Sequence, residues 1–324
     1  MKMNIQEEMK DGYLVTVMMN KVWTVELLLL QKLLNVCDKY KLKIWADGGT
    51  LLGAVRHNGF IPWDDDIDLV MLRGDYDQLV QIAPKEFTHP FFFQCAYTEK
   101  IYPRGHSQLR MDGTTAVLNC VNKVFSKTHQ GIFIDIFPYD IVPDDQSRRN
   151  ELISERDRLM NTLCHVYPFD FFHPLRSLLL LKYRSKFALL FGQFEDIFRK
   201  ETIEDNQFVS CLSYKIDFEH FLRDKIWYKE TIFLPFENVS MPVPIGYHQI
   251  LTLQYGEDYM TPKKVSSDHG SFLVLDVNRS FAEYSSVIRA RVALNRRNAY
   301  KRRGEKIYNR LISKFSTVRR NNLR

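Results

Sequence analysis

The chain has 324 residues, 45% hydrophobic and 26% charged, with 14 Gly and 12 Pro; this excludes a fibrous or wholly disordered polymer and leaves room for one sizeable core or two modest ones. Five cysteines (Cys37, Cys95, Cys120, Cys164, Cys211) stand far apart without a CxxC pair, which argues against a zinc knuckle or disulfide framework and for a reducing compartment. The net charge of +6 is uneven: from Ser286 to Arg324 thirteen Lys/Arg face Glu305 alone, a tail of +12 that leaves residues 1–285 at −6.

The start MKMNIQEEMKDGYLV lacks a basic head followed by an apolar run, so no secretory signal is expected. No stretch reaches the ~18 uncharged apolar residues of a membrane span. A cytoplasmic protein, peripheral at most on the inner membrane face, is the expectation. Residues 21–40 carry apolar side chains at helical spacing (Val22, Val25, Leu28, Leu29, Leu33, Val36) and read as a helix. A short strand LKIWAD follows, ending at Gly48-Gly49, with Thr50 as expected N-cap of a helix TLLGAVRH. Gly59 and Pro62 interrupt the chain before a strand IDLVML; RGDYDQLVQIAP is a helix closed by Pro84. FFFQCAY, HSQLRM and GIFIDIFPYDIV read as strands, the last ended by Pro138, and DDQSRRNELISERDRLMNTL as a charged helix. From Phe233 the pattern is loop-like, and beyond Ser286 it is a helix with a frayed basic end. The organisation expected is a single catalytic domain over 1–285, with a helical insertion at about 145–230, and a basic tail over 286–324.

The chemistry concentrates in IPWDDDIDLVML. In an extended segment side chains two apart share a face, so Asp64, Asp66 and Asp68 are expected together and Asp65 away. Like charges so placed repel unless a cation sits among them, and hard oxygen ligands suit Mg²⁺, or Mn²⁺. A solvated acidic turn is the plain alternative, set against by the cluster's run into a core strand. In GIFIDIFP, Asp135 shares a face with Phe133 and Phe137, costly unless it joins the metal as a third carboxylate or pairs with Arg110. Gly48-Gly49 lets backbone N–H groups approach an anion at a helix N-terminus. Gly48, Gly49, Thr50, Arg56 and Arg110 are the phosphate-binding candidates. Arg56 could equally be a surface arginine, and His57 reads as structural.

These blocks, GGTLLGAVRHNGFIPWDDDIDLVM, RMDGTT, GIFIDIFP and YGEDYMTP, resemble the LicD/fukutin-type family of the nucleotidyltransferase superfamily. The resemblance is close over about 21–140 and loose over 230–270. It implies an α+β fold, a small mixed sheet flanked by helices, and Mg²⁺-dependent transfer. Family members move phosphocholine from CDP-choline, or a polyol phosphate from a CDP-activated donor, onto a glycan hydroxyl, as in lipopolysaccharide or teichoic acid modification. The family's glycine turn and Asp-x-Asp fall on Gly48, Gly49, Asp66 and Asp68, with the third Asp at Asp135. Glu257 interrupts the family's Tyr-Gly-Asp, and the basic tail has no counterpart.

On this basis Asp66, Asp68 and Asp135 are the expected catalytic residues, with Asp64 helping to hold the metal. Asp135 serves as ligand or general base. The partners expected are a CDP-activated alcohol and a glycan or glycolipid acceptor. Apolar-basic residues 171–191 and the tail 286–324 are candidates for contact with an anionic membrane, against a buried insertion helix pair and a merely solvated end. A glycosyltransferase of the Asp-x-Asp kind is the rival enzyme, though it leaves the preceding glycine block unexplained. An RNA-modifying nucleotidyltransferase is disfavoured by the acidic body, and no specific nucleic acid partner is expected.

Overall fold

The structure is a computed structural model that describes residues 6–166, 185–201, 206–213, 221–263 and 271–321, with positions 175 and 178. A hairpin of β1 (Glu8–Lys10) and β2 (Tyr13–Val15) leads into α1 (Val17–Tyr40). Thr16 starts this helix by accepting from the Met19 N–H, four residues before the expected start, and Lys41 closes it in the left-handed conformation. Its Trp23, Leu27, Leu30, Leu33 and Cys37 form a buried stripe against the main core.

Next come β3 (Trp45–Ala46), α2 (Gly48–Arg56), β4 (Asp68–Leu72) and α3 (Arg73–Glu86). They are followed by β5 (Phe91–Gln94), β6 (Ser107–Met111), β7 (Thr115–Leu118) and β8 (Phe133–Val142). The central seven-stranded sheet runs β10-β9-β8-β4-β3, with β6 also on β8 and β5 on β6. Among the described residues only β4 and β8 pair in parallel; the other ladders are antiparallel, and the fold is α+β with a mixed sheet flanked by helices.

Pro138 does not end β8 as expected. Asp135 N donates to Ile67 O, the residue just before β4, so odd-numbered N–H groups of β8 face β4 and even-numbered ones face the opposite edge. On that edge β6 pairs up to Ile136 and β9 begins at Asp140. The missing N–H of Pro138 falls in the gap between them, where no ladder bond is lost. Pro84 likewise lies inside α3, which continues to Glu86.

Beyond β8, α4 (Gln146–His165) and α5 (Phe187–Asp196) share a second apolar cluster built from Leu152, Leu159, Leu163, Phe187, Phe191 and Phe194. The stretch expected as a helical insertion also returns β9 (Phe208–Ser210) and β10 (Arg223–Asp224) to the central sheet. Most of the apolar-basic segment 171–191 lies outside the described residues. The stretch from Phe233, expected as loop, instead belongs to a hairpin and a helix: β11 (Thr231–Phe236), β12 (Val239–Pro244) and α6 (Tyr247–Tyr255). Pro235, Pro242 and Pro244 mask the strand pattern, but a two-stranded ribbon has outer edges where no N–H is needed. The hairpin docks on the core through Phe236 against Phe60 and Thr231 against the Trp45 indole.

Strand β13 (Phe272–Asp276) pairs with β7, and α7 (Ser285–Asn321) follows. The start of α7 belongs to the folded body, since Ile288 and Val292 pack on Val117 and Val121 and Asn295 donates to the carbonyls of Asn119 and Val121. Among the described residues no helix is long and apolar enough to cross a membrane.

A buried ion network ties α5 to the sheet. Arg73 grips Asp140 with Nε and Nη2 at 2.6 and 3.1 Å and reaches Glu195 at 3.0 Å through Nη1. Asp140 is wholly buried, so losing Arg73 strands its charge. Arg73→Ala is expected to lower stability by about 3–5 kcal/mol, read from the shift of the urea unfolding midpoint.

Candidate active site

The site follows from strand register. Ladder β3–β4 pairs Ala46 with Leu69 and continues with Asp47 N donating to Asp68 O at 3.0 Å. Asp68 stands opposite Asp135 in the parallel β4–β8 ladder, and Asp135 opposite Gln108 in β8–β6. Directly opposed residues share a face, so Asp68, Asp135 and Gln108 form one row, with Asp47 at its end.

Asp135 is held on two sides. Gln108 Nε2 donates to its Oδ1 at 2.6 Å, and His106 Nε2 lies 3.2 Å from the same oxygen. Burial pushes the Asp135 carboxyl upward, but His106, Arg104 and Gln108 outweigh it and hold the group below the usual carboxylate range. Asp68 has the opposite balance: burial first, then Asp66, Asp135, Asp64 and Asp47, push it well above that range. Among the described residues no cation pairs with Asp68 or Asp64.

The acids before the strand depart from the expected alternation. Regular pairing begins at Asp68, and residues 64–67 are irregular, so the pleat does not extend back to Asp64. One oxygen from each of Asp64, Asp65 and Asp66 lies within 4.8 Å of the other two, so Asp65 is not turned away from the group. The backbone there is pinned by the Trp23 indole, which donates to Asp64 O at 3.0 Å while stacking on Phe60. Burial, then Asp66 and Asp65, push the Asp64 carboxyl up to about 8. A dense set of hard oxygen donors whose ionised forms repel one another fits a hard divalent cation, Mg²⁺ before softer metals.

Helix α2 opens directly against this group. Gly48 has φ +54°, and a Cβ there would stand 3.4 Å from Asp68 Oδ2. A Cβ on Gly49 would lie 2.3 Å from Asp64 Oδ2, so a side chain there would displace the Asp64 carboxylate. Thr50 is not the N-cap; its Oγ1 accepts from Asp68 N at 2.8 Å and fastens strand to helix. The cap position is Asp47, whose side chain makes no capping bond; it accepts from Tyr139 OH at 2.7 Å and faces Arg223 Nη2 at 3.7 Å. The positive end of α2 therefore faces the carboxylate group.

Two expected phosphate binders bond to the protein's own groups. Arg56 donates to Tyr259 O at 2.8 Å, so it fastens the loop after α6. Arg110 is not paired with Asp135, because Gln108 stands between them. The sequence reading missed Asp47, His106, Gln108, Arg223 and Tyr255. His106 and Gln108 were legible as same-face partners in HSQLRM, and Asp47 by its place just before the glycine turn. Arg223 carried no signal; it reaches the site only because β9 and β10 rejoin the sheet. Tyr255 lies close enough for Asp47, Asp64 and Asp68, after burial, to raise its phenol.

Residues 41–187 match the family described as LicD/FKTN/FKRP, nucleotidyltransferase domain. The chain is 29% identical over 237 residues to the lipopolysaccharide cholinephosphotransferase LicD of Haemophilus influenzae, covering 69% of this chain and 84% of that protein. It is 29% identical over 163 residues to an uncharacterized protein of Rickettsia typhi, covering 50% of this chain and 40% of that one. A shorter stretch of 52 residues is 38% identical to the human ribitol 5-phosphate transferase FKRP, 16% of this chain and 10% of the relative.

Gly49→Ala pushes a methyl into the space of the Asp64 carboxylate. The expected result is a loss of turnover of about a hundredfold, with a circular dichroism spectrum and unfolding midpoint close to those of the parent.

Proposed function

We propose that this chain, which belongs to the LicD/fukutin-type family, transfers a phospho-alcohol group from a CDP-activated donor onto a sugar hydroxyl of a cell-surface glycan or its lipid-linked precursor. Phosphocholine from CDP-choline is the first donor to test. The observation that carries the reading is the register of Asp68 against Asp135 beside the open N-terminus of α2. Named relatives support it: one is a lipopolysaccharide cholinephosphotransferase and another a ribitol 5-phosphate transferase.

Asp66, Asp68 and Asp135 would hold Mg²⁺ or Mn²⁺, with Asp64 and Asp65 beside them. When bound, the cation would neutralise charge on the donor diphosphate as CMP leaves. The N–H groups at the start of α2 would bind diphosphate oxygens from the other side, because the Asp47 side chain is turned to Tyr139 and leaves them uncapped. Asp135 fits the ligand role better than the general-base role. His106 and Gln108 favour its ionised form, and a carboxylate stabilised in that form is a weak proton acceptor.

The glycosyltransferase rival separates on donors. CMP released from CDP-choline, CDP-ribitol or CDP-glycerol supports the proposal, whereas UDP or GDP released from nucleotide sugars sinks it. Contact of α7 with an anionic membrane stays part of the proposal; flotation with anionic liposomes should weaken once residues 307–324 are removed, and unchanged flotation withdraws it.

Two outcomes are expected of the carboxylates. Asp68→Asn and Asp135→Asn should each lower CMP release by about a thousandfold or more while leaving the protein folded. Millimolar Mg²⁺ should raise the melting temperature of the parent by several degrees, since a ligand bound only to the native state adds about 2.7 kcal/mol at a hundred times its Kd. The Asp68→Asn variant should show little of that rise.

A further inference from the structure

A cavity of about 110 Å³ lies one step along the same ladder from Asp135. Its lining includes Arg110 and Phe133, cross-strand partners on β6 and β8; the next pair on that face is Gln108 and Asp135. Arg104, Val121, Phe125 and Gln130 also line it. Two guanidinium groups line this space and no carboxylate does.

Arg110 makes the charge of this cavity unusual. It is 4% exposed, and its bonds go to neutral groups: Nε to Gln94 Oε1, Nη1 to the Gly131 carbonyl and Nη2 to Gln108 Oε1, each at 2.5 Å. Those use three of its five N–H donors. Among the described residues no carboxylate lies within ion-pair distance of Arg110, whereas buried charges in folded proteins are normally paired. Burial lowers its pKa to about 10, and nearby Arg104 adds to the effect. A buried cation with neutral partners and donors to spare is complemented by an anion from outside the chain.

The cavity does not suit a quaternary ammonium. Such groups bind on open aromatic faces, but the faces of Phe125 and Phe133 are covered by Arg104 at 4.7 Å and Arg110 at 4.5 Å. A choline headgroup would meet like charge here.

We propose that this cavity is an anion subsite that binds a phosphate or carboxylate group, with Arg104 and Arg110 as its ligands. Its part in turnover rests on the transferase reading above; its binding of anions does not. The bound group belongs either to the donor or to an acidic sugar of the acceptor. Arg104 is the residue to vary, because it is half-buried on a loop while Arg110 holds up Gln108.

The test is calorimetric titration of inorganic phosphate into the full chain in buffer freed of divalent metal. The parent should bind, Arg104→Gln should weaken binding by about tenfold or more, and Arg104→Lys should fall between, all with the same melting temperature. Steady-state kinetics then name the source: a raised KM for the glycan acceptor alone places the anion on the acceptor, and a raised KM for the CDP-alcohol alone places it on the donor. Phosphate affinity equal in parent and Arg104→Gln, or no binding by the parent, overturns the subsite. A chain that binds phosphate through Arg104 but releases no CMP from any donor keeps the subsite and removes the transferase reading.

Discussion

Two carboxylates set side by side on hydrogen-bonded strands repel, and a fold that keeps them there must supply compensation from its surroundings. In this chain the pair is Asp68 and Asp135, joined by the parallel ladder of β4 and β8. The sheet leaves them no freedom to part, because Asp135 N is bonded to Ile67 O and Asp68 N to Thr50 Oγ1. Much of the neighbouring architecture can be understood as a response to that fixed repulsion.

The response is lopsided. Asp135 receives His106 and Gln108 from β6 and its approach, so its charge is settled by the protein. Asp68 receives an amide-rich helix start and, among the described residues, no paired cation, while Asp64 and Asp66 add to its load. A site in which one carboxylate is ionised in advance and its neighbours are held in mutual repulsion is ready to take up positive charge with little rearrangement. Gly48 takes a positive φ of +54°, and a side chain at Gly49 would displace the Asp64 carboxylate.

Where local chemistry decides the structure, the sequence was readable. The helix over α1, the glycine turn, the strand into LVML and the placement of Asp135 with Phe133 and Phe137 all follow from period and residue type. Where a distant segment decides it, reading failed. Arg56, expected either as a phosphate ligand or as a surface arginine, donates instead to the carbonyls of Tyr259 and Thr261, some two hundred residues later. The alternation argument carried Asp64 into register with Asp68, but pairing starts only at Asp68, and the Trp23 indole sets the earlier backbone instead. Arg223 was invisible for the same cause: its neighbours Asp47 and Gln254 are gathered by topology, not by spacing. Prolines misled twice in one way, because a missing N–H matters only where a partner strand is waiting.

Gln108 connects the carboxylate row with the cationic cavity. Its Nε2 donates to Asp135, while its Oε1 accepts from Arg110 Nη2 and from Tyr102 OH, so both ends of one amide are committed. The amide cannot turn over without breaking all three bonds, which fixes its orientation more firmly than an exposed glutamine's would be. It also separates opposite charges that would otherwise collapse into an ion pair: Arg110 directly on Asp135 would neutralise the carboxylate that the metal reading needs and the guanidinium that the anion subsite needs. A neutral spacer keeps the guanidinium and the carboxylate from pairing with each other. The acidic row and the basic cavity therefore lie on the same face of the same ladder, kept apart by a single buried side chain.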